Sequence, residues 1–187
     1  MGVSIADEFA QRGATVTLVL GPTNERPLSD EIEVNHVVSA RDMFEACMES
    51  SEEMDLIIMS AAVADYRPKE RHNEKMKKKG DDLSLDLERT DDILKSLGET
   101  KSNDQILVGF ALETENELEN AKGKLKRKNL DLIVLNSMKD EGAGFSHNTN
   151  KVTFIDREGS IETFDLKSKV LVAKDLANYI EQQLLNE

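Results

Sequence analysis

Val3, Ile5, Ala6, Phe9 and Ala10 fall at helical spacing over residues 3–12, and Gly13 follows where a left-handed residue can close a helix. Thr15 to Leu20 then form a short β-branched apolar run, which predicts a buried strand directly behind that helix. The pattern repeats with a strand at Glu33 to Val38 and a helix at Ala40 to Glu49, where Ser39 and Asp42 have capping-box spacing and Met43, Phe44 and Cys47 share one face. Asp55 to Ser60 is the next apolar strand, followed by an alternating segment from Leu83 to Leu87, a helix near Asp92 to Leu97 and a strand at Ile106 to Phe110. Glu115 to Lys128 predicts a charged helix, and Leu130 to Leu135 a strand. Lys151 to Ile155 and Ile161 to Phe164 flank Arg157-Glu158-Gly159 as a hairpin, and a last helix fills Ser168 to Leu185.

Strands alternating with helices predict an α/β fold, a doubly wound, Rossmann-like and mostly parallel sheet with a small antiparallel hairpin. Neither a repeat nor a linker interrupts residues 1–187, so one domain is expected. Such sheets normally open on a strand and a glycine-bearing turn that feeds the first helix, yet Met1-Gly2 lead straight into that helix. The opening strand is therefore expected to be missing; the alternative is a natural start on a helical layer.

The charge distribution narrows what such a sheet binds. A formal charge of -13 excludes general affinity for nucleic acid or anionic membranes. Arg67 to Lys79 nevertheless holds seven basic residues against two acidic ones, and Lys122, Lys124, Lys126, Arg127 and Lys128 form a second basic island. Two cationic islands on an acidic chain predict a small anionic ligand. No run approaches the ~20 apolar residues of a membrane span, and the first 20 residues lack the layout of a signal peptide, so a cytoplasmic address is expected. Cys47, the single cysteine, rules out an internal disulfide.

Ligands of open α/β sheets sit beyond the carboxyl ends of the strands. There Ala61-Ala62-Val63-Ala64 is followed by Asp65, Tyr66 and Arg67, small residues that admit a ligand to the backbone and then polar groups; the alternative is packed alanines and solvated charges. Lys69 to Gly80 reads as a flap able to bring cations over a polyphosphate, or as a solvated charge run. Phe110 beside Gly109 can stack on a base, or belong to the core. Lys124 and Lys128 share a helix face. His36, His72, His147 and Cys47 have no metal-ligand spacing. Hydride chemistry lacks its marks: G-x-G-x-x-G is absent, and the residues four after Tyr66 and Tyr179 are Glu70 and Gln183 where a short-chain dehydrogenase needs lysine.

At these positions the chain resembles the phosphopantothenoylcysteine synthetase (phosphopantothenate–cysteine ligase) family, often the carboxyl-terminal half of a bifunctional flavoprotein. The resemblance runs through R-G-A-x-V-T-L-V-x-G-P-T at Arg12 to Thr23, A-A-V-A-D-Y-R at Ala61 to Arg67 and E-K-M-K-K at Glu74 to Lys78. It continues in G-F-A-L-E-T at Gly109 to Thr114, K-R-K-N-L-D-L-I-V-L-N at Lys126 to Asn136 and G-F-S-H-N-T-N-K-V at Gly144 to Val152.

The resemblance implies an amide-forming ligase of coenzyme A biosynthesis. In that family 4'-phosphopantothenate is activated by CTP with Mg²⁺ to an acyl-cytidylate, which L-cysteine then attacks. It implies a homodimer, and FMN only where a decarboxylase domain is fused upstream. By the same resemblance Lys75 is the catalytic flap lysine, while Met59, Ala61, Asp65, Thr90, Asp91, Asp92, Ile93, Phe110, Lys124 and Lys128 surround the nucleotide. No residue is implied as a metal ligand. Two departures stand out. Thr90-Asp91-Asp92-Ile93 replaces the family's usual N-P-D-I, which puts nucleotide selectivity in question. The phosphate-binding run N-x-S-S-G-K-M-G would end at Met1-Gly2, so the chain alone is expected to be inactive. A nucleotide-binding oxidoreductase and a non-catalytic nucleotide-binding protein are the competing readings.

Overall fold

The computed structural model describes residues 1–70, 74, 84–113, 115–137 and 148–184. Helix α1 (Gly2–Gln11) buries Ile5 and Ala6, and Gly13, at φ +89°, turns the chain out of it while its N–H donates to the Ala10 carbonyl. Strand β1 (Thr17–Leu20) pairs in parallel with β2 (Glu33–His36), Thr17 opposite Glu33. Helix α2 (Ala40–Ser51) starts on the anticipated capping box: Ser39 Oγ accepts from the Asp42 amide, and the Asp42 carboxylate accepts from the Ser39 amide.

The main sheet is built on β3 (Leu56–Met59), β6 (Ile106–Glu113) and β7 (Leu132–Ser137), all parallel, with β6 in the middle. β9 (Val152–Asp156) and β10 (Ile161–Thr163) extend it antiparallel to give the order β10-β9-β7-β6-β3. Three short strands escape the sequence pattern: β4 (Tyr66–Pro68), which pairs with β5 (Leu87–Arg89), and β8 (Thr149–Asn150) with β11 (Lys167–Ser168), a pair too short to show a period. β1 and β2 form a sheet of their own, where one continuous sheet was expected.

Because successive side chains of a strand face opposite ways, the main sheet separates two cores. Leu107, Ala111, Ile133 and Leu135 meet α2, helix α3 (Ile93–Thr100) and helix α4 (Glu117–Arg127) through Met43, Ala46, Leu97, Ala121 and Leu125. Ile106, Val108, Leu132, Val134 and Phe154 meet α1 and helix α5 (Lys169–Tyr179) through Ile5, Val172, Ala173 and Leu176. α5 stops short of the predicted helical end and continues as a π-helical turn, Ile180–Leu184. Among the described residues no helix is long and apolar enough to cross a membrane.

Both ends of this sheet carry ions. At the amino ends of β6 and β7, the buried Asp131 accepts from the Leu107 amide (2.7 Å), Lys101 Nζ (2.6 Å) and Arg157 (2.6 Å). A carboxylate with three donors is how a buried charge is tolerated.

Candidate nucleotide site at the carboxyl ends of the strands

The opposite edge of the sheet gathers most of the residues singled out in the sequence. β3 ends at Met59, whose side chain leans on the α2–α4 core, and the chain emerges into the exposed Ala61, Ala62, Ala64 and Asp65 while Val63 packs back on that core. β4 follows at once and runs antiparallel to β5, with Arg67 Nε on Glu88 Oε1 at 2.7 Å and the Lys69 amide on the Asp86 carbonyl at 2.9 Å. The predicted alternation from Leu83 to Leu87 thus ends in a genuine strand, although Leu83 lies outside the described residues.

From β5 the chain returns to the same loop. The Thr90 amide donates to the Asp65 carbonyl at 3.0 Å and its hydroxyl to the Ala64 carbonyl at 2.6 Å. Two residues later Asp92 caps α3, accepting from the Lys95 amide at 3.1 Å, and the same oxygen accepts from Lys128 Nζ at 2.9 Å. Partial burial pushes the Asp92 carboxyl up, but the Lys128 bond and the Lys95 amide outweigh it and hold the group below its ordinary value. Ile93 is buried beneath the cap and Asp91 is exposed beside it.

Lys128 owes its place to a close approach between helices. A Cβ on Gly98 would lie 1.9 Å from the Lys128 carbonyl oxygen, and Asn129, at φ 51°, donates from its side chain to the Gly98 carbonyl. The end of α4 is therefore pressed onto α3 as only glycine permits. One turn earlier Lys124 Nζ lies 2.5 Å from Glu113 Oε1, and Asn120 donates to Glu113 Oε2 at 3.3 Å. Glu113 was not singled out in the sequence. Its signal was present: an acid three residues past Phe110 on a strand whose odd positions face α4.

Phe110 stands apart. Its ring is half-buried with the α1 and α5 core, on the sheet face opposite Lys124 and Lys128. The room above Gly109 is taken by Leu94 and Leu130, whose methyl carbons would lie 2.7 and 2.9 Å from an added Cβ. So the geometry bonds Thr90 to Asp65 and, two residues on, Asp92 to Lys128, sets Lys124 one helical turn away, and leaves Phe110 across the sheet. Lys75 lies outside the described residues. Cys47 packs against the core, where burial pushes its thiol up to about 11, as suits an inert side chain. Among the described residues no group of three or more His, Cys, Asp or Glu could hold a metal ion.

Comparison with known proteins gives this geometry a context. The family model described as DNA/pantothenate metabolism flavoprotein C-terminal domain matches residues 1–184. A protein of an unknown prokaryotic organism named cysteine/cysteine sulfinic acid decarboxylase is 50% identical over 180 residues, 96% of this chain and 50% of its own length. The coenzyme A biosynthesis bifunctional protein CoaBC of Bacillus subtilis (strain 168) is 43% identical over 180 residues, 96% of this chain and 44% of its own length. The chain thus spans about half the length of these curated relatives. A crystal structure of the C-terminal domain of a coenzyme A biosynthesis bifunctional protein CoaBC superposes with a TM-score of 0.82 at 38% identity, covering 100% of this chain and 83% of that one.

Proposed function

The chain belongs to the DNA/pantothenate metabolism flavoprotein C-terminal domain family, and from that premise we propose that it is the nucleotide-binding part of a phosphopantothenate–cysteine ligase. The observation that carries the proposal is a pair of bonded groups two residues apart, Thr90 on the Ala61–Asp65 loop and Asp92 on Lys128, at the edge of the sheet where α/β proteins bind ligands.

In the proposed reaction the carboxylate of 4'-phosphopantothenate attacks the α-phosphorus of Mg·CTP and expels pyrophosphate. The amine of L-cysteine then attacks the acyl carbon, an amide forms and CMP leaves. Phosphoryl chemistry of this kind asks a protein to position the reactants and offset developing charge, not to supply an acid–base dyad. Lys124 and Lys128 meet that need: Lys128 is held at the site by the half-exposed Asp92, and Lys124 by the more buried Glu113. The alanines at 61, 62 and 64 leave the β3 exit open enough for a nucleotide to lie along the backbone. Asp65, Asp91 and the capped α3 terminus border it, and Phe110 would meet a base only where it passes over the sheet's edge. Lys75 keeps the role of flap cation. A cytoplasmic homodimer completes the proposal, with FMN needed only if a decarboxylase domain is fused upstream; sedimentation as a monomer would remove the dimer.

Thermal unfolding with Mg²⁺ and CTP, ATP or NADPH tests the binding site without requiring turnover, since a ligand of the native state alone raises stability by RT ln(1 + [L]/Kd). CTP is expected to raise Tm most. A rise with NADPH alone would replace the ligase with a dinucleotide enzyme, and no rise with any nucleotide would remove the proposed site.

A further inference from the structure

Thr90 makes two bonds to consecutive carbonyls. Its hydroxyl donates to Ala64 at 2.6 Å and its amide to Asp65 at 3.0 Å. Each carbonyl belongs to a rigid planar peptide, so one bond fixes the 64–65 plane and the other the 65–66 plane. Between two fixed planes the φ and ψ of Asp65 have little freedom, and the direction of its side chain is set with them. The 64–65 peptide turns its carbonyl toward Thr90 and therefore its N–H, which belongs to Asp65, away from Thr90.

Below this clamp the β4–β5 ladder continues through Tyr66 opposite Arg89 and Arg67 opposite Glu88, so Thr90 closes the ladder at the end nearest the site. On its other side Asp92 begins α3 and bonds Lys128. The sequence offered Thr90 as a residue that surrounds the nucleotide; the structure shows its hydroxyl hydrogen already given to the protein.

We infer that Thr90 is a positioning residue for nucleotide binding, which acts by clamping the peptides on both sides of Asp65. The inference rests on the nucleotide-site reading above. Valine preserves the shape of threonine but cannot donate from its side chain, and serine keeps the donor. Thr90→Val is expected to speed amide hydrogen exchange over residues 61–66 and to weaken Mg·CTP binding in calorimetry, each by about threefold to tenfold, the worth of one partly exposed hydrogen bond. Tm should fall by only about 2–4 °C, the worth of that one bond in a chain of this size. Thr90→Ser should restore both quantities, and Thr100→Val, which removes a hydroxyl bonded within α3, should leave both unchanged. Unaltered exchange in Thr90→Val, or equal behaviour of the Val and Ser variants, overturns the inference. If the unmodified chain binds no Mg·CTP, the proposed function falls, while the exchange measurement still decides whether Thr90 clamps the loop.

Discussion

The two ends of the central sheet hold the same kinds of ions and use them differently. At the amino end Lys101 and Asp131 have side chains only 4% and 9% exposed, whereas at the carboxyl end Lys128 and Asp92 are 20% and 47% exposed. A buried pair cannot open without stranding a charge in the interior, but a pair half in water is worth only about 0–1 kcal/mol and opens readily. Lys128 can therefore leave Asp92 for an incoming anion at small cost, whereas Lys124 sits on Glu113, a side chain only 14% exposed, and is held more firmly. The amino end locks its charges in the interior; the carboxyl end keeps Lys128 available. The contrast supports the proposed ligand site at the end whose Lys128–Asp92 pair can be exchanged.

The most forceful way to break the comparison is Asp131→Ala, which leaves Lys101 buried without its carboxylate. Loss of stability of about 3–5 kcal/mol is expected in denaturant titration, with little effect on Mg·CTP affinity wherever the protein remains folded. A marginal loss would mean that the knot is no more structural than the exposed pairs. Gly98→Ala strikes between the two ends. Its new methyl must displace the Lys128 carbonyl, so a loss of about 1–3 kcal/mol should come with weaker nucleotide binding, because the displaced segment carries Lys128. Unchanged binding in a folded Gly98→Ala protein would detach the helix contact from the site.

Lys128→Ala sharpens the contrast from the ligand's side. Affinity for Mg·CTP should fall about tenfold, as expected for a charge-assisted contact, while Tm shifts by only about 1–2 °C, since Asp92 still caps α3 through the Lys95 amide. A Tm loss like that of Asp131→Ala with unchanged affinity would reverse the assignment of the two ends.

How much of this was legible depended on how local each signal was. The α2 capping box involves residues three apart, and the β9–β10 hairpin two runs a few residues apart, so both could be read directly. β4 is three residues long and exists because β5, some twenty residues on, pairs with it; no window around Tyr66 contains that partner. The Asp131 knot draws on Lys101, Leu107 and Arg157, and its centre looks in sequence like an ordinary charged residue before a strand. Lys124 and Lys128 were legible as one helix face, but not the carboxylates that hold them, because β6 runs on to Glu113 beyond its predicted end at Phe110. The role of Phe110 was undecided between core and ligand for a similar reason: the strand's parity gives it a face, and only the packed helices show which core that face meets.

The smallest expected effect concerns pH. Asp92 is held below the ordinary carboxylate value in the folded chain, chiefly by Lys128 and the Lys95 amide once partial burial is overcome. A group with a depressed folded value contributes stability above its unfolded value, about 3.9 for aspartate, and loses it as pH falls through the folded one. Asp92→Asn keeps a good cap for α3 but removes the ion pair. At pH 7 the substitution should therefore lower stability by under about 1 kcal/mol, and the difference between the two proteins should shrink steadily below about pH 4. The ion-pair part should also diminish in high salt, as befits a pair in contact with solvent. A difference that persisted at acid pH and in salt would show Asp92 to be a buried structural charge like Asp131, and the distinction between the two ends of the sheet would disappear.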